Sequence, residues 1–153
     1  METNRIIFMK TVNWLVAIFV FFISNAAIAR SPVPVENFLN QPAVTASGNV
    51  LSVEQIDAAI RAAAGQKNWT IVKTTSGAMI ASYAWKANKH MISVEISVTP
   101  GQYTLEYNNS INMNYSISNG RYGIPEGQPI IHPYYNRFVN ELRDSIRVEL
   151  RKY

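Results

Sequence analysis

The two histidines are the side chains of this sequence best suited to acid–base chemistry. His90 and His132 are the only imidazoles in the chain, and an imidazole exchanges protons near neutral pH. Tyr135 and Asn136 lie close to His132 in the sequence, so the three residues predict a small polar site with His132 as general acid or base. The competing interpretation is structural, with His132 capping the start of a helix. No nucleophile adjoins His132 in the sequence, so we predict that the protein is not an enzyme and keep a small enzyme that uses His132 as the alternative.

Metal and thiol chemistry find little support in the composition. The chain has no cysteine, which excludes thiolate ligands, disulfides and thiol catalysis. Two histidines without a carboxylate at ligand spacing do not make a metal site. We therefore expect neither a metal nor a cofactor.

Two aromatic side chains form a candidate contact patch. Tyr83 and Trp85 occupy alternate positions of a predicted strand, so they share one face of it. If that face is exposed, the two rings are well suited to bind a sugar or a peptide. Packing in the core is the competing interpretation, because aromatic residues are common in strands for that reason.

Three arginines form a basic stripe. Arg143, Arg147 and Arg151 recur every four residues on a predicted helix, so they lie on one side of it. Together with Lys152 they predict contact with an anionic envelope surface. The competing interpretation is a solvated helix face whose cations favour the C-terminal end of the helix dipole.

The first 29 residues have the pattern of an export signal. Arg5 and Lys10 precede an apolar run over residues 14–23, and small side chains follow at Ala27 and Ala29. This pattern predicts a signal peptide over residues 1–29, cleaved to give a periplasmic or secreted protein. The alternative is an uncleaved anchor over residues 11–29 that holds the protein in an inner membrane.

The next segment has the composition of a linker. Residues 30–50 contain Pro32, Pro34, Pro42 and Gly48 among small and polar residues. Proline removes backbone donors and resists helix formation, so we predict a flexible, extended linker here. A single folded domain is then expected over residues 51–153.

The sequence predicts a helix at each end of that domain. Ser52 and Gln55 fit a capping box, which predicts a helix that begins after Ser52. A second helix is predicted to begin near Pro133, where proline is tolerated in the first turn.

Between the helices the sequence alternates. Ile92, Val94 and Ile96 alternate with Ser93 and Glu95, which predicts a strand with one buried and one exposed face. Together, the two helices and the alternating segments between them predict an α+β fold, with an antiparallel four- or five-stranded meander and both helices packed on one face of it.

Several segments of this domain resemble a family of small uncharacterised bacterial envelope proteins, many of them lipoprotein-like. The similar segments are residues 52–60, 65–69, 89–91, 103–110 and 132–139. The chain departs from the family in having no cysteine to carry a lipid and in the apparent insertion at residues 122–128. The resemblance implies an exported α+β domain and carries no known activity.

Together, the pattern of residues 1–29 and the lack of a catalytic group predict a non-enzymatic binding or structural protein of the envelope. Its expected partner is an envelope protein or an anionic envelope surface, and no nucleic acid. The formal net charge of +4 at pH 7 is compatible with such a surface. The sequence leaves the oligomeric state open.

Overall fold

The computed structural model describes residues 30–153, which form an α+β fold of two helices and two antiparallel sheets. Helix α1 spans Val53–Gln66 and α2 spans Tyr134–Leu150. The strands are β1 Val33–Pro34, β2 Phe38–Pro42, β3 Thr70–Lys73, β4 Met79–Trp85, β5 His90–Thr99, β6 Gln102–Ile111, β7 Ser116–Ile117 and β8 Pro129–Ile131. The predicted fold class is therefore confirmed, and the predicted signal and anchor lie outside the described residues.

The larger sheet has the strand order β2-β6-β5-β4-β3. Strands β3 to β6 are the predicted meander, and each pairs with the next in sequence. The smaller sheet has the order β1-β8-β7. Strand β8 leads directly into α2, so this small sheet fixes where that helix begins.

Helix α1 begins as its sequence predicts. The Ser52 hydroxyl accepts a hydrogen bond from the Gln55 backbone N–H, and the Gln55 side chain accepts one from the Ser52 N–H. Two N–H groups that have no partner inside the helix are satisfied in this way.

The core lies between the helices and one face of the larger sheet. Ile92, Val94 and Ile96 of β5 are fully buried there. They share one apolar cluster with Ile60 of α1 and Leu142 of α2. On the opposite face of β5, Glu95 and Ser97 are exposed as the alternation predicted, whereas Ser93 is buried.

The predicted flexible linker over residues 30–50 is wrong, because part of it pairs with both sheets. Strand β1 pairs with β8, and β2 pairs with the outer edge of β6, where Phe38 lies opposite Leu105. Strand β2 is the last strand of its sheet, so the missing N–H of Pro42 is tolerated. The composition of residues 30–50 did not indicate a strand, yet β2 forms one at the edge of the sheet and supplies backbone partners to β6.

The segment after β2 is also held to the sheet. Ala43 donates its N–H to the Gly101 carbonyl, and Gly101 donates to Leu51. Gly101 has a φ of +77°, and a Cβ there would lie 2.8 Å from Val50 Cγ1. Glycine is therefore required at this turn, which anchors the loop between β2 and α1.

Candidate functional site

A cleft with a volume of about 130 Å³ lies where the β4–β5 hairpin meets the start of α2. It brings together His90 and His132, which are far apart in the sequence. Its walls are formed by Trp85, Lys86, His90, Asn112, Met113, His132 and Tyr134.

The hairpin places one aromatic pair at the cleft. Trp85 and His90 are directly opposite each other on β4 and β5, and their rings stack with centroids 5.2 Å apart and planes inclined by 15°. The turn between them contains Lys86, Ala87 and Asn88, all with positive φ of 52°, 54° and 63°. A left-handed conformation costs roughly 1–2 kcal/mol for a non-glycine residue, so this wall of the cleft is strained.

A second strained loop fixes the proton of His90. Asn112 has a φ of 56°, its side chain donates to the Lys89 carbonyl, and its own carbonyl lies 3.2 Å from His90 Nδ1. A carbonyl only accepts hydrogen bonds, so the ring nitrogen must donate. The neutral His90 ring therefore carries its proton on Nδ1 and has an acceptor at Nε2.

His132 has the opposite arrangement. Its Nδ1 accepts the backbone N–H of Tyr134 at 3.2 Å, so the neutral ring carries its proton on Nε2. Its backbone donates to the Met113 carbonyl and accepts from Tyr135. His132 thus caps the start of α2, as the structural interpretation predicted, and it presents its ring to the cleft as well.

The predicted polar site of His132, Tyr135 and Asn136 is not assembled. The Asn136 side chain instead bonds the segment around β1, accepting from the Glu36 N–H at 3.2 Å and donating to the Pro34 carbonyl at 2.8 Å. Tyr135 and Asn136 are consecutive residues of α2 and therefore point in different directions, while His132 precedes the helix.

Tyr135 is fully buried in the core and is not part of the cleft. Its hydroxyl has no hydrogen-bond partner, and its ring packs edge-on against Tyr107 with centroids 5.4 Å apart. Burial raises the pKa of this phenol well above its ordinary value of 10.0. The side chain therefore serves packing and stays neutral at physiological pH.

Tyr83 and Trp85 lie on the sheet face that the helices cover, where they are half-buried. Their rings contact Phe138 of α2 with centroid distances of 4.9 and 5.1 Å. Trp69 continues this aromatic cluster behind Tyr83, at 5.7 Å. Tyr83 is thus a supporting residue, and Trp85 is the member of the pair that reaches the cleft.

The three arginines of the predicted stripe have different surroundings. Arg143 lies over the Phe38 ring, 4.4 Å from its centroid, and pairs with Asp144 at 2.9 Å. Arg147 and Arg151 instead line a second, larger groove of about 290 Å³. The structure therefore brings two of the three arginines into one potential binding surface.

The comparisons leave the family open, because the chain matches no family model, no curated protein and no solved structure. The resemblance to small bacterial envelope proteins stays a prediction. Within residues 30–153, no group of three or more histidine, cysteine, aspartate or glutamate side chains could hold a metal ion. In the same range, no helix is long and apolar enough to cross a membrane.

The sequence did not identify most of the cleft. Lys86, Asn112 and Met113 carried no recognisable motif, and His90 had no visible link to His132. One signal was available in the asparagines at positions 112 and 114, because asparagine tolerates the left-handed conformation that both adopt.

Proposed function

We propose that the protein is an exported, non-enzymatic envelope domain that binds its ligand in the cleft between the β4–β5 hairpin and α2. The export part of this proposal rests on Arg5, Lys10, the apolar run over residues 14–23 and the small residues before position 30. The binding part rests on the geometry of the cleft. Together, the export pattern and the cleft favour a protein that acts in the periplasm or after secretion.

One observation carries the proposal: aromatic and hydrogen-bonding groups with fixed directions converge in one cleft. Trp85 and Tyr134 offer apolar ring surface, His90 offers an acceptor and His132 a donor when both are neutral. Such a combination of apolar surface with a few placed polar groups is typical of ligand sites. Strained loops on either side of the cleft are also frequent at binding sites.

The charge of the cleft limits its ligand. Lys86 supplies a cation, and none of the lining residues is a carboxylate. A cationic ligand would meet no opposite charge among these residues, whereas an anionic ligand would meet Lys86. A ligand with a ring or apolar part and a hydrogen-bonding or anionic group therefore fits best, as a glycan or peptide end would supply.

The histidines provide a direct test of binding. Because the chain has two histidines and both line the cleft, their ring NMR signals report on its occupancy. We expect fractions of envelope extract that contain the ligand to shift both signals. The variants W85A and K86E should lose at least about tenfold in affinity, consistent with about 1.4 kcal/mol of lost contact.

Tyr122→Ala is the matched control for that experiment. Tyr122 is an aromatic residue that is 67% exposed and lies outside the cleft, so this variant should bind like the wild type. Lys86 is exposed, so K86E keeps the test valid if W85A is poorly folded. Equal binding by the wild type and both cleft variants would contradict the proposed site.

Export makes a separate prediction about the N-terminus. The pattern of Ala27 and Ala29 predicts a mature chain that begins at Arg30, and Ala29→Asp should block processing because the peptidase requires a small residue there. Mass spectrometry of the native protein measures this directly. A protein that retains residues 1–29 would favour the anchored alternative.

A second candidate function is supported by the two imidazoles. An acceptor at His90 Nε2 and a proton at His132 Nε2 in the same cleft are the two groups that general acid–base catalysis needs. This arrangement favours the small-enzyme alternative more than the sequence did. Chemical conversion of a bound envelope fragment that stops in H90Q, while the fragment still binds, would establish it over the binding function.

A further inference from the structure

The groove at the C-terminal end of α2 has two different walls. Arg147, Leu150 and Arg151 form the helix wall. The end of β2 and the loop that follows it form the other wall, with Pro42, Val44, Thr45 and Ala46. Because the backbone of this loop is bonded to the Pro100–Gly101 turn, the groove is held open by fixed structure.

Charge is unbalanced at this end of the helix. Residues 143–152 contain four basic and two acidic side chains. The two carboxylates make their shortest ion pairs with cations outside the groove. Asp144 pairs with Arg143 at 2.9 Å, and Glu149 pairs with Lys152 at 2.6 Å. Arg147 lies 3.7 Å from Asp144, and Arg151 pairs with no carboxylate of residues 30–153. Because Asp144 is shared between Arg143 and Arg147, and Arg151 pairs with none of these carboxylates, the groove keeps a net positive charge.

Exposed apolar side chains surround these arginines. Val148 is 57% exposed and shares a side of α2 with Arg151, since the two are three residues apart. On the opposite wall Val44 is 37% exposed and pairs across a β-bridge with Val50, which is 67% exposed. Tyr153, two residues beyond Arg151, is 50% exposed. Cations next to exposed aliphatic and aromatic groups are typical of surfaces that lie on a membrane.

We propose that this end of the domain docks onto an anionic membrane, with a lipid phosphate held between Arg147 and Arg151. A guanidinium group matches phosphate oxygens in both charge and geometry. Val44, Val148 and Tyr153 then lie at the headgroup boundary, where apolar and aromatic side chains are stable. Arg143 takes no part, because its guanidinium is stacked on Phe38 and paired with Asp144.

The proposed docking leaves the aromatic cleft accessible. Helix α2 has 17 residues, which at 1.5 Å per residue separates its ends by about 25 Å. The histidine cleft lies at the N-terminal end and the arginine groove at the C-terminal end. The domain is thus able to hold a ligand and a membrane at the same time, at opposite ends of one helix.

Vesicle co-sedimentation tests this proposal. The probes are vesicles of phosphatidylcholine alone and vesicles with about one-third phosphatidylglycerol, at low salt and at roughly 1 M salt, where charges are screened within about 3 Å. The readout is the ratio of binding to anionic over neutral vesicles. Residues 1–29, with Arg5 and Lys10, are the same in every variant, so their contribution cancels when the ratio of a variant is compared with that of the wild type.

We expect the wild type to prefer anionic vesicles at low salt and to lose that preference at high salt. R147Q/R151Q should lower the ratio by about 25-fold, because each basic residue near an anionic surface contributes roughly a factor of five. K89Q/R121Q removes the same charge from exposed loops outside the groove and should leave the ratio within about twofold of the wild type.

Three results would overturn the proposal. The wild type could show no preference for anionic vesicles at low salt, or the two double variants could behave alike. Alternatively, inorganic phosphate could shift the NMR signals of the Arg147 and Arg151 side chains while anionic vesicles leave them unchanged, which would show a site for free phosphate instead. Thermal unfolding midpoints equal to that of the wild type would show that both double variants are folded, so that a difference in co-sedimentation reports on vesicle binding.

Discussion

Val94→Asp is expected to unfold the domain. Val94 is fully buried in the central strand β5, between Ala81 and Tyr107 on the neighbouring strands, and no cation of the described core faces it. An unpaired carboxylate in such a place costs more than about 4 kcal/mol, which is a large share of the roughly 5–15 kcal/mol that stabilises a typical domain. Denaturant unfolding followed by circular dichroism measures the loss.

Ser97→Asp is the matched control for this variant. Ser97 lies on the exposed face of the same strand, so the same charge should change the free energy of unfolding by about 0.5 kcal/mol or less. Similar unfolding midpoints for V94D and S97D would show that the assignment of faces is wrong.

Ser93 is unsuitable as the control, although the alternation predicted it to be exposed. It is only 2% exposed, because the register shifts between Ser93 and Val94 and the extra residue on β6 folds over it. The Asn108 side chain donates to the Ser93 hydroxyl at 3.1 Å. Ser93→Asp is therefore expected to destabilise the domain as well, and a bulge of this kind has no signature in the β5 sequence itself.

Deleting residues 33–42 should destabilise the domain by at least about 3 kcal/mol. The deletion removes β1 and β2, exposes the outer edge of β6 and takes the Phe38 ring from beneath Arg143. Burial of a large apolar side chain contributes roughly 1.5–3 kcal/mol, and each ladder hydrogen bond adds about 0.5–1.5 kcal/mol. A true linker would cost almost nothing to remove.

Point substitutions in β2 test its side-chain contacts without shortening the chain. Phe38→Ala should lower the free energy of unfolding by about 1–2 kcal/mol, since the ring is half-buried. Leu39→Ala is the control, because Leu39 is 55% exposed on the same strand and should change stability by about 0.5 kcal/mol or less. If F38A and L39A unfold at the same denaturant concentration, β2 does not pack as described.

The parts of the fold with local sequence signals could be predicted. The Ser52–Gln55 capping box and the alternation of β5 each depend on residues close together in the chain, and periodicity reveals such patterns. Strand β2 could not be predicted, because it is an edge strand that ends in Pro42 and is interrupted by Asn40 with a φ of 48°. Its pairing with β6 is decided by the sheet and not by its own residues.

The cleft could not be predicted from the sequence for the same reason. His90 reaches it through the β4–β5 hairpin and His132 through the junction of β8 with α2, so their proximity depends on the complete topology. The neutral tautomer of His90 is likewise set by a distant group, the Asn112 carbonyl, whereas that of His132 is set locally by the Tyr134 N–H. By contrast, Arg147 and Arg151 could be placed together from helical spacing alone.

The pairing of β1 with β8 also determines the order in which the chain completes its fold. Residues 33 and 131 are direct partners, so closing this contact costs roughly 3 kcal/mol more in loop entropy than closing the four-residue β4–β5 turn. The meander from β3 to β6 is expected to form first, and the N-terminal strands to join it last. During synthesis, β1 therefore stays unpaired until β8 has emerged near the end of the chain, which makes it the strand that stays open longest to proteases or to chaperones that bind extended segments.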